Sequence, residues 1–334
     1  MINLVWDGNY ILIKNIMTLI KNNCLYGDFH KALTMNIHKY ITMFPRAKVW
    51  IVFDSRKKSW RKQVITQYKE NRVKDPTINW EWIFNELDVW KTAVRENENW
   101  IILQGDEVEG DDWIMSVVKS NNKKKESNVV IASDGDLKQL LGWKDNLWIN
   151  IQVSDINGKE KIFLPEGYEV YLNKLVSEAN SDPFDLSRMD IPWSDTLTNM
   201  IKSWDSEEVN PHKVLFTKLI KGDKGDNIDS VYKKTLKTGK TQGIGDAGAD
   251  KIWKLYTDMH GEVVRVDTKN DQMYDRIVDC IELNGKYNFM DETKHSIKEK
   301  LIQNASLIEL NYRHYPAHIL EKIVEELEKV YENG

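Results

Sequence analysis

The chain of 334 residues has only two cysteines, Cys24 and Cys280, and seven scattered histidines with no pair at zinc-ligand spacing. That excludes a disulfide framework and a thiolate set for structural zinc. Long apolar runs are also missing. The opening "MINLVW" is cut off at once by Asp7, so it reads neither as a signal peptide nor as a membrane span. An excess of basic residues is absent too: the net charge is −5. No simple basic-therefore-nucleic-acid argument applies, although acids gathered at one site would mask a basic surface elsewhere. No internal repeat or low-complexity segment is found.

What remains is an ordinary soluble composition, 41% hydrophobic and 30% charged, in a chain long enough for one large domain or two modest ones. Many of its thirteen tryptophans, such as Trp6, Trp50 and Trp113, lie in apolar runs and read as core. Residues 2–6, 48–53, 100–103 and 128–132 read as buried strands, with helical spacing over 28–43, 79–97 and 112–120. Such alternation predicts an α/β fold with a mainly parallel central sheet flanked by helices. The segment 151–163 reads as a hairpin, 165–215 as polar and helix-like with a loop at "SDPFDLSRMDIPW", and the C-terminal "HILEKIVEELEKVY" as an amphipathic helix.

Ligands of parallel sheets bind beyond the carboxyl ends of the strands. Four predicted strands deliver acids there: Asp7, Asp54, the group Glu109, Asp111 and Asp112, and the pair Asp134 and Asp136 in "VIASDGD". Asp223 and Asp226 follow in "KGDKGDN". Singly each has a plainer reading: Asp7, Asp111 or Asp112 as a helix cap, Asp54 as a turn. Together, carboxylates in such number repel unless a cation lies among them. An all-oxygen set favours Mg²⁺ or Mn²⁺. The i, i+2 pairs Glu109/Asp111 and Asp134/Asp136 share one side if extended, and Asp223/Asp226 share one face of a helical turn. Two ions about 4 Å apart would clamp a phosphodiester.

Between residues 56 and 74 the sequence has eight Lys or Arg and one acid. On a helix, Lys57, Arg61, Tyr68 and Arg72 fall within about 40° of one line, with Lys69 beside it. A cationic stripe with an aromatic ring suits a phosphate backbone and a splayed base; a solvated face is the alternative. Further on, "GIGDAGADKIW" has Gly243 and Gly245 at helix–hairpin–helix spacing, with Lys251 on the helix that follows. Its exposed amides suit a backbone phosphate, and a plain interhelical turn is the alternative.

The motifs "VWDGN", "VFDSRKKSWRKQVITQYKENR", "VEGDDWIMSVVKS", "VIASDGDLKQLL" and "KLIKGDKGDNIDSV" resemble, in order, those of the 5′-nuclease (flap endonuclease) superfamily. The resemblance covers about residues 1–260 of the chain. It implies a first metal site of Asp54, Glu109, Asp111, Asp134 and Asp136 with Asp7 close by, and a second that includes Asp223 and Asp226; Asp112 joins the candidate set as an outer member on its position in the sequence alone. It implies Lys69 and Arg72 on an arch helix contacting the scissile phosphate, and a glycine hairpin gripping duplex DNA, in the family often with a K⁺ ion. Gly110 stands where the family has alanine, and Ala247 where its hairpin has lysine.

The expected organisation is a catalytic core over 1–164 with the basic arch at about 55–97, an insertion over 165–217, and a helical region over 218–334. The expected activity is Mg²⁺-dependent 5′-3′ exonuclease or flap endonuclease cleavage of RNA primers and DNA flaps, with Mn²⁺ able to substitute. The expected partners are branched or 5′-ended duplex DNA and RNA·DNA hybrid, met by a monomer in the cytoplasm of a bacterial or phage-infected cell. A sliding clamp or single-strand-binding protein is a candidate ligand of the C-terminal helix, with plain packing the alternative. The rival readings are a non-catalytic branched-DNA-binding relative and a compact PIN-type ribonuclease.

Overall fold

The computed structural model describes residues 1–98, 100–144, 147–156, 158–170, 196, 199–200, 203–235, 238–261, 265–287 and 293–332. The chain divides into two compact units, one of residues 1–59, 75–209 and 316–334, the other of 60–74 and 210–315. This differs from the division expected at 164 and 217. Residues 60–74 of the basic stretch belong to the second unit, and the C-terminal helix to the first. Of the expected insertion, 171–195, 197–198 and 201–202 lie outside the described residues.

In the first unit, β1 (Ile2–Asp7), β2 (Lys48–Val52), β3 (Ile101–Leu103) and β4 (Ser127–Ile131) are short, apolar and mostly buried. Helices α1 (Gly8–Lys21), α2 (Leu25–Met43), α3 (Trp80–Asn97) and α4 (Gly110–Lys123) alternate with them. With β5 (Gly142–Lys144), β6 (Trp148–Ile156), β7 (Lys159–Pro165) and β8 (Asp205–Val209) they build one sheet of order β3-β2-β1-β4-β6-β7-β8, with β5 paired to β6. From β3 to β6 it is parallel: Leu4 stands opposite both Val49 and Val129. The order reverses between β1 and β4, the place where such sheets open a crevice beyond the strand ends.

The expected hairpin is β6–β7, closed from Ile156 to Lys159 with Gly158 at φ 81°. Sheet register is reinforced by polar side chains inside the core, where Asn128 donates to Asn150 at 2.8 Å and accepts from Asn121 at 2.8 Å. The C-terminal helix (Ala317–Glu332) buries Ile319, Ile323 and Leu327, and Tyr331 donates to Asn121 at 3.1 Å, so its apolar face is used within this unit.

The second unit packs α5 (Pro211–Lys221), α6 (Asp246–His260), α7 (Asp271–Leu283) and α8 (Lys294–Ile308) around Phe216, Leu219, Ile252, Ile277 and Leu301. Asn210 starts α5 by accepting from the His212 and Lys213 amides, with Pro211 in the first turn. A ribbon of β9 (Lys233–Thr235) and β10 (Thr241–Gly243) separates α5 from α6, so the lysine-rich stretch is partly a β-hairpin. No described helix is long and apolar enough to cross a membrane.

The expected basic helix is not formed. Residues 55–79 contain one short 3-10 turn, Trp60–Gln63, followed by irregular turns. Tertiary packing overrides the helical spacing. Trp60, Arg61 and Tyr68 are all buried, the Arg61 Nε donates to the Leu307 carbonyl at 2.8 Å, and Lys69 takes φ 56°.

Candidate metal centre and nucleic-acid interface

In the first unit, β1 runs into α1 with no loop between them. Asp7 ends the strand and caps the helix, accepting from the Tyr10 amide at 3.1 Å. Gly8 is required there, because a Cβ would lie 2.5 Å from the Phe53 ring and 2.6 Å from the Val52 carbonyl. Burial pushes the Asp7 carboxyl up from 3.8 to about 7, and the charges of Asp54 and Asp134 add to the rise, against the Tyr10 and Asn9 amides. Asp7 therefore feels the acids that follow two other strands.

Asp54, after β2, accepts from the Gly110 amide at 2.6 Å, while its carbonyl accepts from Gln104 Nε2 at 2.7 Å. Ser55 Oγ ties the same loop to the segment before α4 by accepting from the Lys57 and Glu107 amides at 2.9 and 2.8 Å. Glu109 caps α4, and Asp112 completes a capping box with it, accepting from the Glu109 amide at 3.1 Å. Asp112 is fully buried, and by accepting from the Glu109 amide it orients Glu109 from behind. Asp111 lies half-buried in the first helical turn, not in extended backbone.

Asp134 and Asp136 are likewise not extended. Asp134 accepts from the Asp136 amide at 2.8 Å, and Asp136 opens the 3-10 turn Asp136–Leu140. Their loop is held from below by Gln152 of β6, whose Nε2 donates to the Ala132 and Asp134 carbonyls at 3.1 and 2.8 Å. Sequence reasoning missed Gln104 and Gln152. The signal for Gln152 was present: it is a polar residue inside the apolar run "INIQV", 1% exposed.

The donors of this unit fit a hard divalent cation. They are oxygens alone, and the ionised form of Asp7 is disfavoured until a positive charge is supplied. Among the described residues no three carboxylate, imidazole or thiolate groups stand close enough to ligate one ion together. One or two direct carboxylates with water completing the shell is the arrangement Mg²⁺ usually takes.

In the second unit, Asp223 and Asp226 lie on a turn closed by backbone pairing of Asp223 with Ile228, not on a helix. Burial raises the Asp223 carboxyl, but Lys218 and the Gly225 and Asp226 amides outweigh it and hold Asp223 below the usual range. Asp226 is paired with Arg72, accepts from the Tyr68 hydroxyl at 3.0 Å, and lies 3.9 Å from Lys69 Nζ. A phosphate that drew on the charges of Lys69 and Arg72 would therefore compete with Asp226 for them. Burial removes Arg61 and Tyr68 from the surface expected to meet nucleic acid, and Lys57 belongs to the first unit, where it pairs with Asp106.

Gly243 and Gly245 differ in what they require. A Cβ on Gly243 would lie 2.6 Å from Ser230 Cβ, whereas Gly245, the cap of α6, has open space. Ser230 Oγ accepts from the Ile244 amide at 2.9 Å and so fixes the glycine turn. Asp246, ion-paired with Lys221, opens α6, and Lys251 is exposed one turn on.

Residues 4–169 match the family described as the 5'-3' exonuclease N-terminal resolvase-like domain. That match reaches from β1 to just beyond β7, and this part of the chain resembles the 5′-nuclease superfamily. It is similar to the ribonuclease H of Enterobacteria phage T4, 27% identical over 137 residues, 40% of this chain and 42% of that protein. The match thus spans less than half the length of that relative. Two phage T5 structures share the fold over nearly the whole chain. A protein co-crystallised with metal ions matches with TM-score 0.62, 17% identity and 99% of both chains. A flap endonuclease in a pseudo-enzyme-product complex with DNA and metal ions matches with TM-score 0.62 and 18% identity, over 99% of this chain and 100% of that one.

Proposed function

We propose that the chain is a Mg²⁺-dependent 5′-nuclease that hydrolyses phosphodiesters near the 5′ ends of RNA primers and DNA flaps on duplex DNA. The observation that carries this reading is the shared electrostatics of Asp7, Asp54 and Asp134 at the carboxyl edge of the sheet, beside the β1/β4 switch. A buried carboxylate whose proton affinity is raised by neighbouring acids has no use in a protein that only binds DNA, which disfavours the non-catalytic alternative.

In this reading Asp7, Asp54, Glu109, Asp111, Asp134 and Asp136 hold divalent cations, directly or through water, with Asp223 and Asp226 as further ligands. When bound, such cations activate the attacking water and neutralise charge on the leaving oxygen. Lys69 and Arg72 orient the scissile phosphate and offset its developing charge. Gly243, Gly245 and Lys251 meet the duplex backbone, with K⁺ as a candidate ion at the glycine turn. Reading backbone and shape needs no contact with base edges.

The test is product mapping on a 5′-labelled flap duplex and a 5′-labelled RNA-primed duplex, with Mg²⁺ and with chelator. Metal-dependent short products or a released flap are expected. Tight binding with no cleavage would overturn the reading.

A further inference from the structure

The acids of the two units live under opposite conditions. In the first, Asp7 is destabilised as an anion by burial and by its neighbours. In the second, Asp223 and Asp226 already have cationic partners from the protein itself, Lys218 for the one and Arg72 with Lys69 for the other. A cation that came to Asp226 would therefore have to compete with a guanidinium and an ammonium.

Those partners are not casual surface contacts. The segment 67–72 is clasped along the turn 224–227. The Lys69 amide donates to the Asp226 carbonyl at 3.0 Å, and Arg72 Nε donates to the Gly225 carbonyl at 3.3 Å. Asn71 Nδ2 donates to the Lys224 carbonyl at 2.7 Å, and Asn227 Nδ2 donates back to the Gln67 carbonyl at 3.0 Å. The buried Tyr68 adds its hydroxyl to Asp226. Lys69 is held in left-handed backbone, a conformation that costs a non-glycine residue about 1 kcal/mol or more and persists only when its surroundings enforce it.

We propose that Asp226 is a guarded cation ligand: without nucleic acid it serves as counter-ion to Arg72 and Lys69, and a substrate phosphate that takes over those two side chains releases it to a divalent cation. Phosphate and cation then enter this unit together. Reciprocity follows, since whatever factor the phosphate adds to cation affinity the cation adds to phosphate affinity. The inference rests on the nuclease reading for the identity of both ligands, and it goes beyond that reading in the order of events. The cations that would steady the phosphate during hydrolysis also keep the ligand closed until a phosphate arrives. A cation would not occupy Asp226 in an idle protein.

The experiment is Mn²⁺ titration of the full-length chain without nucleic acid, followed by electron paramagnetic resonance of free Mn²⁺. The wild type is compared with the Lys69→Met, Arg72→Met double variant, the same variant with Asp226→Asn added, and Asp134→Asn. The double variant should gain a Mn²⁺ site at least about tenfold tighter than any Asp226-dependent binding in the wild type, the change expected from about one pK unit of electrostatic interaction. Adding Asp226→Asn should remove the gain. Arg72→Gln, which keeps hydrogen-bonding capacity without the charge, should give a smaller gain in the same direction and guards against a folding defect in the double variant. Identical Mn²⁺ binding in the wild type and both charge-removed variants would overturn the exchange. The nuclease reading is read separately, from Mn²⁺ that Asp134→Asn abolishes.

Discussion

The Gly110 amide donates to the Asp54 carboxylate at 2.6 Å, tying the first turn of α4 to the end of β2. A Cβ on Gly110 would lie 3.2 Å from Asp54 Oδ1, so that oxygen must give by a few tenths of an ångström. It can, being the end of a side chain. Gly110→Ala is expected to raise the melting temperature, since alanine is favoured over glycine in helices by up to about 1 kcal/mol. Mn²⁺ affinity should stay within about threefold of wild type, a shift of less than 1 kcal/mol. Calorimetry and metal titration check the two halves separately.

Asp134→Asn should abolish cleavage while leaving duplex binding near wild type. The same change removes one of the charges that raise the Asp7 carboxyl, so Asp7 should titrate lower than in the wild type. Carbonyl-carbon NMR of Asp7 in metal-free protein reads that shift. Undiminished turnover would take Asp134 out of the reaction.

The raised Asp7 carboxyl sets a pH dependence with a definite sign. Unfolded, it ionises near 3.8; folded, near 7. Between those values the native state holds a proton that the unfolded state has lost, so this group makes metal-free protein less stable as pH rises through that window. Above about pH 7 the loss levels off. A divalent cation that favours the ionised form should therefore raise the melting temperature more at pH 8 than at pH 5.5. Equal Mg²⁺ shifts at both pH values would contradict the coupling.

Gln152 supports the loop of Asp134 from inside the sheet. Gln152→Leu fills similar space but deprives the Asp134 carbonyl of its donor and leaves the Ala132 carbonyl to the Ser154 hydroxyl, an expected loss of about 1–3 kcal/mol in urea unfolding. Metal affinity should fall as well, because the loop loses its floor. A change in stability alone would make Gln152 a packing residue.

Much of this arrangement was legible in the sequence, for a physical reason. Apolar, often β-branched runs ending in acids read as buried parallel strands with their chemistry at the carboxyl ends, and β1, β2, β3 and β4 lie within a residue or two of where periodicity put them. The carboxylate positions followed from those ends. The local backbone did not, because Glu109, Asp134 and Asp7 each serve as a cap or turn-former as well as a candidate ligand, and spacing alone cannot separate an extended pair from a capped turn. The basic stretch misled for another reason. Helical periodicity assigns faces but cannot foresee that Arg61 and Tyr68 are drawn into a core contributed by residues far along the chain.

The junction between Trp6 and Gly8 carries an evolutionary consequence. Because strand and helix meet there without a spacer, and successive strand side chains alternate faces, one inserted or deleted residue would turn the Asp7 carboxylate to the opposite side of the sheet. No neighbouring loop could absorb the error. Lineages of this protein should therefore vary in identity along β1 while holding its length constant, and gain or lose residues in the ribbon between β9 and β10 instead.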